Sequence, residues 1–225
     1  MAQQSGRGKS EWKIWAGVIL LLAAFVAVQQ WLSATPTDYE RKDIREAPPD
    51  NEKNRNKDLA EATMTPGRVI ELETTKGRID LVLFEKDCPT TTSRIAELVQ
   101  AGCYNGTQFV RVVKNELIQT APCKRQVRPI GLEVLKGLIN AKGAVGMARG
   151  DDRNSGTSQF YILLEPMRHL DYDYTVFGRL ITGMDVAFKI SKGDTIKRAL
   201  VRSLTPEDRR LFEKKLEIES KRKTE

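Results

Sequence analysis

The sequence is poor in residues that bind metals. Its 225 residues include one histidine, His169, and three cysteines, Cys88, Cys103 and Cys123, which form no C-x-x-C pair. Zinc sites need clustered Cys and His ligands, so this composition argues against one. One disulfide with one free thiol and three reduced thiols are both compatible with the count, and the spacing does not select a pair.

The chain also lacks a block of basic residues. Its net charge is +7, but the lysines and arginines are interleaved with acids throughout. Nucleic-acid binding uses clustered cations, so we expect no nucleic-acid partner and attribute the charge to solubility and a weak attraction for acidic partners. With 40% hydrophobic and 30% charged residues, the composition is that of a globular chain with a sizeable core.

Charged side chains are missing from residues 14–34, where Ile14–Val28 is almost wholly aliphatic. A helix of that length reaches about 30 Å, the thickness of a bilayer core. Indole rings favour the membrane interface, and all three tryptophans lie near the ends of this span: Trp12, Trp15 and Trp31. The pattern predicts a transmembrane helix over 14–34.

The charges around this span predict its orientation. Arg7, Lys9 and Lys13 precede it against the single acid Glu11, and the segment after it is net negative. The positive-inside rule then makes residues 1–13 a cytosolic tail and places the remaining chain across the membrane, as in a single-pass type II protein. A cleavable signal peptide is the alternative, although Leu32-Ser33-Ala34 is a mediocre cleavage site.

The rest of the chain divides into a linker, a folded domain and a charged end. Residues 35–65 carry many charges of mixed sign and little aliphatic periodicity, which predicts a charged flexible linker. Residues 66–204 form the predicted domain. Residues 205–225 predict a charged C-terminal helix or tail, capped by Thr205 and with Leu211, Phe212 and Leu216 available to dock on the domain.

Short alternating apolar patterns dominate residues 66–204. They predict two strands around a turn at 75–77, a hairpin at 109–121, and further strands at 143–149, 157–164, 174–181 and 197–203. One helix begins near Pro89 and ends at Gly102, a short one covers 183–191, and residues 124–142 show no clean period. Many strands with two separated short helices predict a mainly β, closed antiparallel barrel with helices over its openings.

The hairpin has the sequence FVRVVKNELIQTAPC over residues 109–123. Alternation predicts that Phe109 and Arg111 share one face, and that Leu117 and Gln119 share one face. If these faces coincide, the hairpin presents a small recognition surface with an arginine, a glutamine and two apolar groups. An ordinary hairpin with a solvated Arg111 is the alternative.

Four ordered motifs give residues 68–203 a resemblance to the cyclophilins, the family of peptidyl-prolyl cis–trans isomerases. They are FVRVV…LIQ at 109–119, GAVGMAR at 143–149, NSGTSQFYILL at 154–164, and LDYDYTVFGRLITGMDV at 170–186. The resemblance implies an eight-stranded antiparallel cyclophilin-like β-barrel with two capping helices. It also implies binding of proline-containing protein substrates, with no cofactor and no metal.

The resemblance assigns roles to individual residues. In cyclophilins an arginine at the position of Arg111 donates to the prolyl nitrogen, and a glutamine at that of Gln119 holds the substrate backbone. The positions that correspond to the proline pocket and groove are Phe109, Leu117, Ala148, Arg149, Gln159, Tyr161, His169, Leu170 and Tyr174.

Several of these positions depart from the family pattern. Glu116 replaces a pocket aromatic, Tyr161 a phenylalanine, Tyr174 a histidine and His169 the common groove tryptophan. A carboxylate beside an apolar site is unfavourable unless it reaches solvent or pairs with a base such as Lys114. The departures predict reduced or altered isomerase activity, and a catalytically weak chaperone or proline-segment binding module is the alternative.

Location and modification follow from the predicted topology. Asn105-Gly106-Thr107 is an N-glycosylation sequon on a predicted turn, which the topology would expose to the lumen. We expect a monomer in the Golgi, with the endoplasmic reticulum second and the mitochondrion third. The D-x-D triplet Asp171-Tyr172-Asp173 raises a Golgi glycosyltransferase as a further alternative, which the missing βαβ pattern disfavours.

Overall fold

The computed structural model describes residues 59–222, which form eight strands and three helices. The strands are β1 (Val69–Thr74), β2 (Gly77–Leu83), β3 (Thr107–Val113), β4 (Leu117–Thr120), β5 (Ala144–Met147), β6 (Phe160–Leu163), β7 (Val176–Thr182) and β8 (Thr195–Arg202). The helices are α1 (Pro89–Gln100), α2 (Met184–Ala187) and α3 (Pro206–Arg222), with a 3-10 turn at Arg168–Leu170.

The strands close into one antiparallel barrel in the order β1-β2-β7-β5-β6-β4-β3-β8. Alternate residues point inward, and Phe160 packs edge-on against Tyr104 and Phe177 inside the barrel. The predicted eight-stranded antiparallel barrel is therefore confirmed. Residues 124–142 contain no strand or helix, and only isolated bridges at Ile130 and Lys136.

Helix α1 begins at Pro89, as predicted, and buries its apolar stripe of Ile95, Leu98 and Val99. Its first turn contains no acidic residue and its N-cap side chain makes no capping bond. The carboxylate of Glu133 replaces both, because it accepts hydrogen bonds from the backbone N–H groups of Thr90 and Thr91 at 3.0 and 2.8 Å. A carboxylate at this end also favours the helix dipole.

Helix α3 confirms the prediction of a capped helix after Thr205. Thr205 Oγ1 accepts from the N–H of Asp208, and Asp208 Oδ2 accepts from the N–H of Thr205 at 2.8 Å, which is a reciprocal capping arrangement. Phe212 is buried against Phe84, with ring centroids 5.9 Å apart. The helix is ordered to Arg222 and packs along the barrel, so the folded unit extends past 204.

Two predictions from the sequence need correction. Helix α2 spans only Met184–Ala187, shorter than the predicted 183–191. Phe109 of β3 pairs with Thr120 of β4, but Arg111 pairs with Gln119. Strand β3 therefore advances by two residues where β4 advances by one. This bulge reverses the alternation. The expectation that Phe109 and Arg111 share a face is wrong, and Phe109 is fully buried in the barrel interior.

The cysteines form one disulfide and one free thiol, which is one of the two arrangements compatible with the sequence. Cys103 and Cys123 form a disulfide with their Cα atoms 5.5 Å apart, and Cys88 is a buried free thiol. The disulfide joins the turn before β3 to the segment after β4. Burial raises the pKa of Cys88, which makes this thiol unreactive.

The predicted cytosolic tail and the transmembrane span at 14–34 lie outside the described residues, as does most of the linker. Between residues 59 and 222, no helix combines the length and apolar character needed to cross a bilayer.

Candidate active site

Arg111 and Gln119 lie directly opposite each other on β3 and β4. Gln119 in turn lies opposite Tyr161 on β6, and Tyr161 opposite Gly146 on β5. Direct partners in antiparallel strands share a face, so these four strands carry the three side chains side by side on the outer surface of the barrel. The sequence left open whether the faces of Arg111 and Gln119 coincide, and the strand pairing shows that they do.

Gln119 is buried, with 3% of its surface exposed. No described residue donates a hydrogen bond to its buried Oε1 atom. A buried amide oxygen without a donor is costly in a folded protein, so Gln119 Oε1 is available to accept a hydrogen bond from a bound peptide N–H.

Tyr161 forms the aromatic floor of the site. Its ring lies across Gly146, where an added Cβ atom would stand 2.1 Å from the ring, so only glycine fits there. Its hydroxyl donates to Asn140 Oδ1 at 2.7 Å. Burial raises the pKa of Tyr161 well above its ordinary value, which keeps the hydroxyl protonated as a donor.

Asn140 is itself held by Asp171. The N–H of Asn140 donates to Asp171 Oδ1 at 2.6 Å, and Arg168 pairs with the other carboxylate oxygen at 2.7 Å. Burial raises the pKa of Asp171, an effect that the Asn140 hydrogen bond opposes. This chain of contacts connects Tyr161 to the 3-10 turn that carries Leu170.

Both carboxylates of the D-x-D triplet form ion pairs with arginines. Asp171 pairs with Arg168, and Asp173 pairs with Arg153 at 3.2 Å. Across residues 59–222, no three His, Cys, Asp or Glu side chains are grouped to hold a metal ion. The triplet thus has a structural role in orienting the loop around Tyr172.

Tyr174 packs edge-on against Tyr161 with ring centroids 6.1 Å apart. The guanidinium of Arg149 lies 4.4 Å from the centre of the Tyr174 ring, and its Nε donates to the carbonyl of Asp173 at 3.0 Å. The side chain of Arg149 is therefore committed to supporting the aromatic pair.

The remaining predicted residues divide into walls and rim. Leu117 and Leu170 are fully buried next to the floor, and Gln159 donates from Nε2 to the carbonyl of Thr120 at 3.3 Å. The N–H of Ala148 donates to the carbonyl of Gln159 at 3.0 Å, so Ala148 is fixed beside them. His169 is exposed at the rim.

Glu116 lies in the β3–β4 turn with its side chain exposed to solvent. Its carbonyl accepts from the N–H of Leu164 at 2.7 Å, which ties the turn to the end of β6. The carboxylate therefore avoids burial beside the apolar walls. Phe109, in contrast, lies inside the barrel on the opposite face from Arg111.

Reasoning from sequence missed Asn140. It falls in the stretch 124–142, where no periodicity points to a role. The available signal was Tyr161 itself, because a tyrosine hydroxyl placed in an apolar pocket requires an acceptor nearby. Taken together, the site offers a cation, a buried amide and an apolar floor, and its residues provide groups for holding a peptide segment.

Comparison with known proteins gives a consistent result. A family model described as "Cyclophilin type peptidyl-prolyl cis-trans isomerase/CLD" matches residues 69–208. Peptidyl-prolyl cis-trans isomerase A of Dickeya dadantii is 34% identical over 135 residues, which are 55% of this chain and 71% of that protein. Peptidyl-prolyl cis-trans isomerase cyp18 of Streptomyces antibioticus is 35% identical over 131 residues, which are 52% of this chain and 79% of that protein.

Solved structures show the same fold at lower identity. A Cryptosporidium parvum cyclophilin superposes with a TM-score of 0.56 at 22% identity, covering 62% of this chain and 99% of that chain. A crystal structure of that protein in the presence of the dipeptide Ala-Pro gives a TM-score of 0.55. A cyclophilin from Hirschia baltica also superposes with a TM-score of 0.56, covering 61% of this chain and 75% of that chain.

Proposed function

The chain belongs to the cyclophilin family of peptidyl-prolyl cis–trans isomerases, and from this premise we propose that it isomerises X–Pro bonds of proteins in the secretory pathway and assists their folding. The observation that carries the proposal is the direct pairing of Arg111 with Gln119 on the face that also carries Tyr161. The substrates are proline-containing protein segments, and no cofactor takes part.

The chemistry follows from the electronic structure of the amide bond. Rotation about X–Pro faces a barrier of about 18–20 kcal/mol because the nitrogen lone pair is delocalised into the carbonyl. A donor aimed at the prolyl nitrogen localises that pair and stabilises the twisted transition state. The Arg111 guanidinium is permanently charged and rigid, which suits this task. Gln119 holds the substrate backbone through its amide, including the buried Oε1.

The proline ring packs on an apolar surface next to this pair. Leu117 and Leu170 are fully buried, and the Tyr161 ring forms the floor. Isomerisation requires no proton transfer, so His169 at the exposed rim needs only a binding role. Tyr174 packs against the floor, and Arg149 packs against Tyr174, so both support its position.

The decisive experiment is an isomerase assay on the full chain with an Ala-Pro tetrapeptide. Arg111→Ala should lower kcat/KM by about 10²–10³-fold, the usual cost of removing one transition-state donor. Arg111→Lys should recover little, because a lysine lacks the planar fork. Arg125→Ala, at an exposed position, is the control. Wild-type activity in Arg111→Ala would overturn the assignment of Arg111.

A second function is a catalytically weak binding module that uses the same face for proline-containing segments. The departure that favours it is Glu116 at a position where cyclophilins usually carry a pocket aromatic. The same assay separates the two functions. If the wild-type chain and Arg111→Ala both match the uncatalysed rate while a proline peptide still binds, the module is the correct description.

We further propose that residues 14–34 anchor the chain as a monomeric type II membrane protein, with the barrel in the lumen of the Golgi or, as a second choice, the endoplasmic reticulum. The Cys103–Cys123 disulfide supports the lumenal assignment, because disulfides persist in oxidising compartments. A mitochondrial location is the third choice. Fluorescence microscopy of the tagged full chain beside compartment markers distinguishes these locations.

Glycosylation at Asn105 would report the orientation. Asn105 is exposed on the turn before β3, and its Oδ1 accepts from the N–H of Ala199 at 2.9 Å. We expect a mobility shift of the full-length protein on glycosidase treatment that is absent in Asn105→Gln. A chain from cells that shows no shift, together with protease accessibility of the barrel from the cytosol, would contradict the lumenal orientation.

A further inference from the structure

A cleft of about 380 Å³ separates helix α3 from the barrel. We call it the α3 cleft, and it is lined by Ile139, Ala141, Lys142, Pro166, Arg168, Arg179, Leu180, Met184, Lys215, Ile218 and Glu219. None of these residues belongs to the Arg111–Gln119 site. The volume lies within the range of small-molecule pockets, near its lower end.

One part of the α3 cleft is an apolar wall. It is formed by Ile139, Leu180, Met184 and Ile218. Ile218 keeps 43% of its surface exposed, although a nonpolar residue on a helix that packs against a domain is usually turned inward. A ligand with an apolar body in the α3 cleft would remove this surface from water.

The cationic groups of the α3 cleft are mostly neutralised by neighbours. Lys142 pairs with Glu165 at 2.6 Å, and Arg168 pairs with Asp171 at 2.7 Å. Arg179, nearly fully buried, pairs with Glu219. Each of these three cations therefore already has a carboxylate partner.

Lys215 is the exception. It is half-buried in the lining of the α3 cleft, and within residues 59–222 its ammonium forms no salt bridge. Burial and the nearby positive charge of Arg179 lower the pKa of Lys215, and the carboxylate of Glu219, which pairs with Arg179, opposes this lowering without cancelling it. An anion next to Lys215 would relieve both effects.

We infer that the α3 cleft binds a small amphipathic carboxylate, with its head on Lys215 and its apolar body on the wall that ends at Ile218. A single unpaired cation matches a single negative charge, and the adjoining wall is apolar. An inorganic anion would leave that wall exposed, and a neutral apolar ligand would leave Lys215 unpaired. The inference is independent of the isomerase reaction.

The test is isothermal titration calorimetry of the full chain with 4-phenylbutyrate, a water-soluble carboxylate with an aryl body. Its amide, 4-phenylbutyramide, has the same shape without the charge and should bind about tenfold more weakly or worse. Lys215→Met keeps the apolar stem and removes the charge, and it should weaken 4-phenylbutyrate binding by a similar factor.

Lys214→Met is the matched control, because Lys214 is exposed on the same helix and does not line the α3 cleft. It should bind 4-phenylbutyrate as the wild type does. Ile218→Ser tests the apolar wall and should weaken binding severalfold without affecting folding, since Ile218 is already exposed. Equal affinity in wild type and Lys215→Met, equal affinity for acid and amide, or no binding of the acid to a chain with wild-type thermal stability would each overturn the inference.

Discussion

The Tyr161 hydroxyl donates to Asn140 Oδ1 across 2.7 Å, and both residues are fully buried. This bond joins the floor of the isomerase site on β6 to the irregular segment before β5. In the family pattern a phenylalanine occupies the floor, which needs no partner. In this chain the Tyr161 hydroxyl has an acceptor in Asn140, which Asp171 holds in position. The tyrosine that replaces the family's phenylalanine is therefore accompanied by a hydrogen-bond partner.

We predict that Tyr161→Phe and Asn140→Leu each destabilise the protein by about 1–3 kcal/mol, because each leaves one buried polar group unsatisfied. The double variant removes both groups and should cost clearly less than the sum of the two single costs. Urea unfolding gives the free energy of unfolding of the wild type, the two single variants and the double variant. Strictly additive costs would show that the two side chains do not interact.

Glu116 provides a prediction about activity. Its exposed side chain lies in the turn next to Leu117, so a phenylalanine there would extend the apolar surface that receives the proline ring. Partial burial of such a ring contributes about 1 kcal/mol, so Glu116→Phe should raise kcat/KM roughly fivefold. Lys114→Phe, equally exposed in the same turn, is the control and should change little. An unchanged or lower kcat/KM in Glu116→Phe would show that Glu116 does not limit the rate.

Local patterns explain why much of the fold could be predicted from the sequence. The strands around 75–77, the start of α1 at Pro89 and the cap at Thr205 each depend on residues close together in the chain. The pairing of Arg111 with Gln119 follows from a hairpin, in which the turn fixes the register.

Features that depend on chain segments distant in sequence could not be predicted in this way. The bulge in β3 moves Phe109 into the core, and alternation within the strand gives no warning of it. Cys103 and Cys123 meet only because the barrel brings the end of the α1 region beside the segment after β4. Asn140 acquires its role from Tyr161, which lies 21 residues further along the chain.

The capping of α1 by Glu133 leads to a stability prediction. Glu133 is the acceptor for two backbone N–H groups at a helix start that has no local cap. Glu133→Ala should therefore destabilise the protein by about 1–2 kcal/mol, the usual cost of losing a cap. Glu97→Ala removes an exposed acid that bonds only to Ser93 within the same helix, and it should cost far less. Urea unfolding of both variants makes the comparison, and equal costs would contradict the capping role.

Asp208 predicts how stability depends on pH. The hydrogen bonds from Arg202 hold the pKa of Asp208 well below its ordinary value of about 3.9. The unfolded chain then binds this proton more readily than the folded one, so the stabilisation is complete above about pH 4 and is lost as the pH falls below it. Asp208→Asn should flatten the fall in unfolding free energy between about pH 4 and pH 2. Glu207→Gln, at an exposed neighbouring position, should keep the wild-type slope, and identical slopes for all three proteins would refute the assignment.

The disulfide between Cys103 and Cys123 closes a loop with a sequence separation of 20. A crosslink of that length removes unfolded-state entropy worth about 3 kcal/mol, so Cys103→Ser with Cys123→Ser should lower the melting temperature by roughly 6–12 °C. Reducing the wild-type protein should lower the melting temperature by a similar amount. If Cys88 were a partner in the crosslink, Cys88→Ser would have the same melting temperature with and without reductant. Because Cys88 is a free buried thiol, we expect Cys88→Ser to retain the full difference between the two redox states. A melting temperature of the wild type that does not respond to reductant would show that the two sulfurs are not joined in solution.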